Sequence, residues 1–192
     1  KNLNIISGLS FEITPILLPL AISFFTFQQI AYLVSSYRGE TSKYNFIDYS
    51  LFVSFFPQLI AGPIVNHKEV IPQFRKLGSS GIQAKNLAIG TTVFIIGLFK
   101  KVVVADGLSS YASPVFQGAE QGLNLTIFEA WGGVTAYSLQ LYFDFSGYSD
   151  MALGLTKIFG ITLPLNFYSP YKARSIIEFW QKWHVTLSRF LK

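Results

Sequence analysis

Residues 13–37 form a run of 25 without a formal charge, bounded by Glu12 and Arg38. About 20 apolar residues are enough to cross the hydrocarbon core of a bilayer as a helix. Backbone at that depth must satisfy its own hydrogen bonds, so helices are the expected elements. Residues 49–66 add a second run of 18 without Asp, Glu, Lys or Arg. Charged residues make up only 13% of the chain, against roughly 25% in an average soluble domain. The chain is 51% hydrophobic and 17% aromatic, with a mean hydropathy of +0.40. A large soluble all-α protein with buried helices is the competing class, and the length of the charge-free runs favours a polytopic, all-α membrane protein.

The absence of cysteine excludes disulfides, thiolate metal sites and a cysteine nucleophile. The net charge of +5 could suggest nucleic acid. The Lys and Arg residues instead fall in short stretches between apolar segments, as in positively charged cytoplasmic loops. We therefore expect a lipid bilayer as surroundings and no nucleic acid as partner. The chain opens at Lys1 without a signal-peptide pattern and stops at Lys192 inside an amphipathic pattern. We expect an internal stretch of a longer protein, with residues 1–192 forming a single partial transmembrane domain.

Five membrane-embedded elements are expected. Residues 15–37 form the first span and residues 48–65 the second. The second carries Pro57, Gly62 and Pro63 within apolar sequence. Proline removes a donor and clashes with the preceding turn, so this helix is broken or re-entrant, either as a structural kink or as the lining of a cavity. Residues 66–85 hold His67, Lys68, Glu69, Arg75, Lys76 and Lys85, a net +3 with His neutral, and read as a cytoplasmic loop. Residues 86–105 form a third span. Residues 106–124 contain Asp106 and Glu120 and no base, and read as an external loop. Residues 125–143 return toward the cytoplasm, and a short helix over 148–159 ends at Gly160 and Pro164. Residues 175–192 project as an amphipathic interfacial helix, apolar along Ile176, Phe179, Trp180, Trp183 and Leu187. Ser175 is its expected N-cap, with Glu178 closing a capping box.

Familiar catalytic motifs are missing. There is no G-x-S-x-G elbow, Walker A loop or G-x-G-x-x-G. His67 and His184 lack ligand spacing, so no metal is expected. Asp144 and Asp150 are six apart and do not share a helical face; each is expected to bond a neighbouring Tyr, Ser or backbone group. His184 sits between Trp183 and Val185, on the buried flank of the last helix. An imidazole there is either a satisfied core residue or a proton-transfer group, for which its ordinary pKa is suited.

Four blocks resemble the membrane-bound O-acyltransferase (MBOAT) superfamily, in its bacterial alginate O-acetyltransferase-like branch. They are PLAISFFTFQQIAYLVSSYRGE (19–40), FIDYSLFVSFFPQLIAGPIVNHKEVIPQF (46–74), LQLYFDFSGYSDMALGLTKIFGI (139–161) and LPLNFYSPYKARSIIEFWQKWHVTLSRFL (163–191). The resemblance implies a funnel of tilted transmembrane helices, present here in part, in the inner (cytoplasmic) membrane of a bacterium. It implies multi-pass topology and transfer of an acyl group, usually acetyl, toward a polysaccharide outside the cell. It further implies that the acyl donor, acetyl-CoA or another, is a cytoplasmic substrate, with no cofactor bound. An extracytoplasmic acetyltransferase partner protein and a polysaccharide acceptor are the partners that the resemblance implies. D-alanyl transfer to teichoic acid on the same scaffold, or a non-enzymatic membrane scaffold or conduit, are the alternatives.

Within that resemblance His184 matches the first of the family's two active-site histidines, in its W-x-x-W-H signature, and is the catalytic residue expected here. The second histidine belongs to a Trp-His-Gly motif that these 192 residues do not contain, so this stretch alone is expected to be inactive. Asn66 stands where relatives often carry Arg, Tyr168 where Asn is frequent, and Gln181-Lys182 where Arg-Arg is found. These departures bear on substrate and partner.

Overall fold

The computed structural model describes residues 22–59, 62–77 and 83–191. Among them every regular element is helical. The first span expected over 15–37 is seen as α1 (Ile22–Tyr37); residues 15–21 lie outside the described residues.

The second expected span is not a single helix. Helix α2 (Phe46–Ser54) starts at Asn45, whose side chain caps it in a capping box with Asp48. It covers only nine residues, about 14 Å at 1.5 Å per residue, too short to cross a bilayer. The chain turns extended at Phe55, makes one further turn as α3 (Phe56–Leu59), and is irregular over 62–66. The break therefore falls where proline forbids a continuous hydrogen-bond ladder.

The basic stretch expected as a loop carries helix α4 (His67–Leu77). Its apolar residues recur at helical spacing and bury Val70, Ile71 and Phe74 against Phe52, Phe55, Val65, Ile161 and Leu163. Its polar residues anchor the ends of other elements. Arg75 pairs with Asp48 and donates to the Lys43 carbonyl at 2.9 Å. The Gln73 amide clamps the backbone of Thr162, accepting from its N–H at 2.9 Å and donating to its carbonyl at 3.0 Å.

The expected third span and external loop form one helical rod. Helix α5 (Ala84–Phe99) runs into a π-helical segment (Lys100–Ala105) and then into α6 (Asp106–Glu120). Together they make 37 residues, and among the described residues this rod is long and apolar enough to cross a membrane. Asp106 is no loop marker, because Lys101 one turn earlier holds its carboxylate. The acidic loop contracts to the turn after Gln121.

The expected pair of helices over 125–159 is likewise one element, α7 (Ile127–Ile158), of 32 residues. Thr126 and Glu129 form the capping box that starts it. Gly160, at φ +78°, ends it as a Schellman turn: Gly160 N–H donates to the Lys157 carbonyl and Ile161 N–H to that of Thr156, both at 2.9 Å. The two carboxylates near its middle do not break it because lysines on the preceding rod pair with them. Asp144 and Asp150 pair with Lys101 and Lys100, not with a local Tyr, Ser or backbone group. The π segment winds less per residue than an α-helix, and here two consecutive lysines both reach α7.

Glycines let α5 and α7 touch backbone to backbone. A Cβ added at Gly90 would lie 2.6 Å from the Gly154 carbonyl oxygen, and one at Gly97 would lie 2.6 Å from that of Gly147. The two crossings are seven residues apart on each helix, in antiparallel register. Small residues at such contacts are the usual means of helix association in lipid, where burial of apolar surface gives no drive. Large apolar side chains face outward, among them Leu33, Phe128 and Trp131, as expected where bilayer or further protein covers the surface.

Candidate active site

The amphipathic helix expected over 175–192 is interrupted at the histidine. Helix α8 (Ile176–Lys182) and helix α9 (Val185–Leu191) are separated by Trp183 and His184. Ser175 caps α8 as expected, accepting from the Glu178 N–H at 3.1 Å. The reciprocal bond falls one residue further out, from the Arg174 N–H to Glu178. His184 itself adopts φ +44°, a left-handed conformation uncommon for a residue with a side chain and frequent at functional positions. Helical periodicity alone gives no sign of this kink.

Main-chain bonds explain why the break sits here. The segment 166–168 runs beside it. Tyr168 N–H donates to the Lys182 carbonyl at 3.0 Å, and Val185 N–H donates to the Asn166 carbonyl at 2.9 Å. Trp183 enters an aromatic cluster, stacked on Phe179 at 5.6 Å and edge-on to Phe167 at 5.2 Å, with Tyr142 and Tyr171 beyond. Tyr171 is tied to α7 through a 2.7 Å hydrogen bond to the Ser138 carbonyl. His184 meets the edge of Phe145 at 4.8 Å and is only 6% exposed. Burial pushes its imidazole down to about 4, because a charged ring is poorly solvated there. At neutral pH the ring is uncharged and able to accept a proton.

Thr186, two residues on, is 2% exposed and lines a cavity of about 260 Å³ shared with Ile64, Val65, Asn66 and Phe190. Arg189 and Glu69 pair at 3.1 Å on the cavity wall. Lys182 pairs with Glu178 within its own helix. Each of these basic residues thus holds a carboxylate, and the Arg189 side chain is also exposed.

His67 lies elsewhere in the fold. It is 2% exposed and sits edge-on between Tyr32, at 5.4 Å, and Tyr44, at 5.6 Å. Burial, and then the Lys68 ammonium, hold its imidazole below its ordinary value. Among the described residues no group of three His, Cys, Asp or Glu converges as metal ligands would. The sequence reading missed Asn166 and Thr186, whose roles depend on contacts across 20 residues of chain. It also missed the Lys100–Asp150 and Lys101–Asp144 pairs. Two lysines and two aspartates in apolar sequence were the available sign, since charges at such depth need partners.

Residues 34–192 match the MBOAT, membrane-bound O-acyltransferase family. The chain is 47% identical over 216 residues to the peptidoglycan O-acetyltransferase of Helicobacter pylori, a match covering all of this chain and 40% of that protein. It is 46% identical over 183 residues to the probable alginate O-acetylase AlgI of Pseudomonas aeruginosa, covering 95% of this chain and 34% of that protein. Similarity to the teichoic acid D-alanyltransferase of Streptococcus thermophilus is lower, 28% over 171 residues, covering 88% of this chain and 41% of the relative. The chain thus spans well under half the length of these relatives. The similarity covers the glycine-packed helices and the kinked histidine alike, and the chain belongs to the membrane-bound O-acyltransferase family.

Proposed function

We propose that the full-length protein is a multi-pass O-acetyltransferase of the bacterial inner membrane. It takes acetyl from a cytoplasmic donor, acetyl-CoA, and passes it through an extracytoplasmic partner protein to a cell-surface polysaccharide, either peptidoglycan or an alginate-like glycan. Residues 1–192 are one part of its transmembrane domain. The observation that carries this reading is His184, an uncharged, buried imidazole at a strained backbone kink, in a chain whose acetyl-transferring relatives resemble it more than the D-alanyl-transferring ones do.

The roles follow from the geometry. A neutral imidazole accepts a proton from an attacking hydroxyl or orients the group that does. The aromatic cluster around Trp183 keeps bulk water from the kink, and the cavity beside Thr186 leaves room for an acyl chain. We assign His184 an assisting role in acyl transfer, beside the second histidine implied by the family. The helical rod Ala84–Glu120 crosses the membrane, with the basic residues 66–85 in the cytoplasm and the turn after Gln121 outside.

Two experiments test this. Glycan-bound O-acetyl should fall when the gene is deleted and return with the wild-type gene; unchanged acetyl on both muramic and uronic acid residues contradicts the function. Residues 1–192 contain no cysteine, so in a full-length protein freed of cysteine elsewhere, single cysteines placed here report topology without background. An impermeant thiol reagent applied outside should label Gln121→Cys and spare Gln83→Cys; the reverse pattern overturns the orientation.

A further inference from the structure

We infer that Asn166 is a positioning residue for His184, acting through Thr186; this rests on the catalytic reading of His184 given above. A left-handed residue with a side chain persists only where its surroundings over-determine it. Here Asn166 supplies two of the constraints. Its main-chain carbonyl accepts from the Val185 N–H at 2.9 Å, the residue directly after the kink. Its side-chain Oδ1 accepts from the Thr186 hydroxyl at 2.5 Å. The same hydroxyl accepts from the Ile64 N–H at 3.0 Å. Three distant pieces of chain, at residues 64, 166 and 186, thus meet at one hydroxyl. That junction joins the proline-broken stretch after α3 to the kink that presents the imidazole.

The cost of this arrangement argues that it serves placement more than stability. Asn166 is 1% exposed, and its Nδ2 has no hydrogen-bond partner among the described residues. A buried donor left unsatisfied costs free energy, and an apolar side chain of the same size avoids that cost. Leucine at 166 would fill the space and satisfy packing, but nothing would then hold the Thr186 hydroxyl. Local choices that oppose stability are expected where function sets the requirement.

The test uses the full-length protein in inverted membrane vesicles, with radiolabelled acetyl-CoA as the probe and glycan-bound acetyl as the readout. Asn166→Leu and Thr186→Val keep side-chain size and remove the Oδ1–hydroxyl bond, whereas Thr186→Ser keeps it. Misplacement of a reacting group by about 1 Å costs on the order of 10²-fold. Asn166→Leu and Thr186→Val are therefore expected to lower kcat by about 10- to 100-fold, with KM for acetyl-CoA within about threefold. Thr186→Ser should remain near wild type, a rescue that simple loss of packing does not give.

Wild-type kcat in Asn166→Leu and Thr186→Val, alongside a large loss in His184→Gln, overturns the positioning role and leaves the catalytic reading of His184 intact. Wild-type rate in His184→Gln instead overturns that reading, and this one with it. If Asn166→Leu does not accumulate in the membrane, the Thr186→Val and Thr186→Ser pair decides on the same terms. Loss of Thr186→Val from the membrane while Thr186→Ser accumulates also overturns the proposal, because the junction then serves folding.

Discussion

The α5–α7 pair and the stretch around His184 solve the same problem, polar backbone in apolar surroundings, in opposite ways. The pair does it with regularity. Long helices keep every main-chain bond internal, glycines bring the two backbones together, and the charges of Lys100 and Lys101 are met by Asp150 and Asp144. The histidine region does it with irregularity. Short helices, extended linkers and a left-handed kink are held by bonds from Asn166, Tyr168 and Thr186. Regular packing gives a rigid frame with no free chemistry. Irregular packing costs stability, yet it holds a buried imidazole two residues from Thr186, which lines a cavity. Substitutions in the frame should remove the protein, whereas substitutions at the kink should remove the activity.

Gly154→Leu is the sharpest way to break the frame. An added Cβ would lie 2.6 Å from the Gly90 carbonyl oxygen and from the Phe94 nitrogen, so the helices must separate. We expect a loss of about 3 kcal/mol or more, the upper range for overpacking, seen as failure to accumulate in the membrane. Normal accumulation would show that the helices are not packed through this face. A smaller effect is expected from the embedded pairs. Lys100→Ala leaves Asp150 unpaired and should lower the melting temperature in detergent, and adding Asp150→Asn should restore part of it. A coupling of about 1–2 kcal/mol is expected for groups in contact. Strict additivity would mean that the pair contributes nothing.

Helix existence was legible in the sequence, and helix boundaries were not. Charge-free runs identified α1, α5 and much of α7, because apolar length is a direct requirement of the bilayer. Boundaries drawn at charges failed, since Asp106, Asp144 and Asp150 are neutralised by lysines on the π segment and so do not end helices. The break after α2 was legible because proline acts through its own backbone. The kink at His184 was not. Its conformation is imposed by Asn166 and Tyr168, which are distant in sequence, while the residues flanking it keep helical spacing. His184 stood out as a site only through its resemblance to a family signature; its burial and edge-on contact with Phe145 are properties of the fold.

Acid should act on the kink before it acts on the frame. The His184 imidazole, held at about 4 in the folded protein, has an ordinary value of 6.5. Between these values the unfolded state binds more protons, so stability is present above pH 6.5 and is lost as pH falls toward 4. Melting temperature in detergent should drop over that window, and His184→Gln should make the drop smaller, the remainder coming from His67, whose imidazole is also lowered by burial. An identical pH profile in the variant would remove His184 as its source. The smallest effect is expected at Lys182, whose partner Glu178 lies one turn back in the same helix. Partly exposed pairs within one helix contribute little, and Lys182→Ala should keep acetyl transfer within about twofold of wild type.

The central claim is that the kink carries chemistry that the frame does not. It is tested most directly by measuring, in one set of membranes, the amount of inserted full-length His184→Gln protein and its rate of acetyl transfer from acetyl-CoA to glycan. Insertion at the wild-type level with transfer lowered on the order of 10²-fold, the scale for a positioned acid–base group, is the predicted result. Normal insertion with transfer at the wild-type rate would contradict the account and make His184 a packing residue.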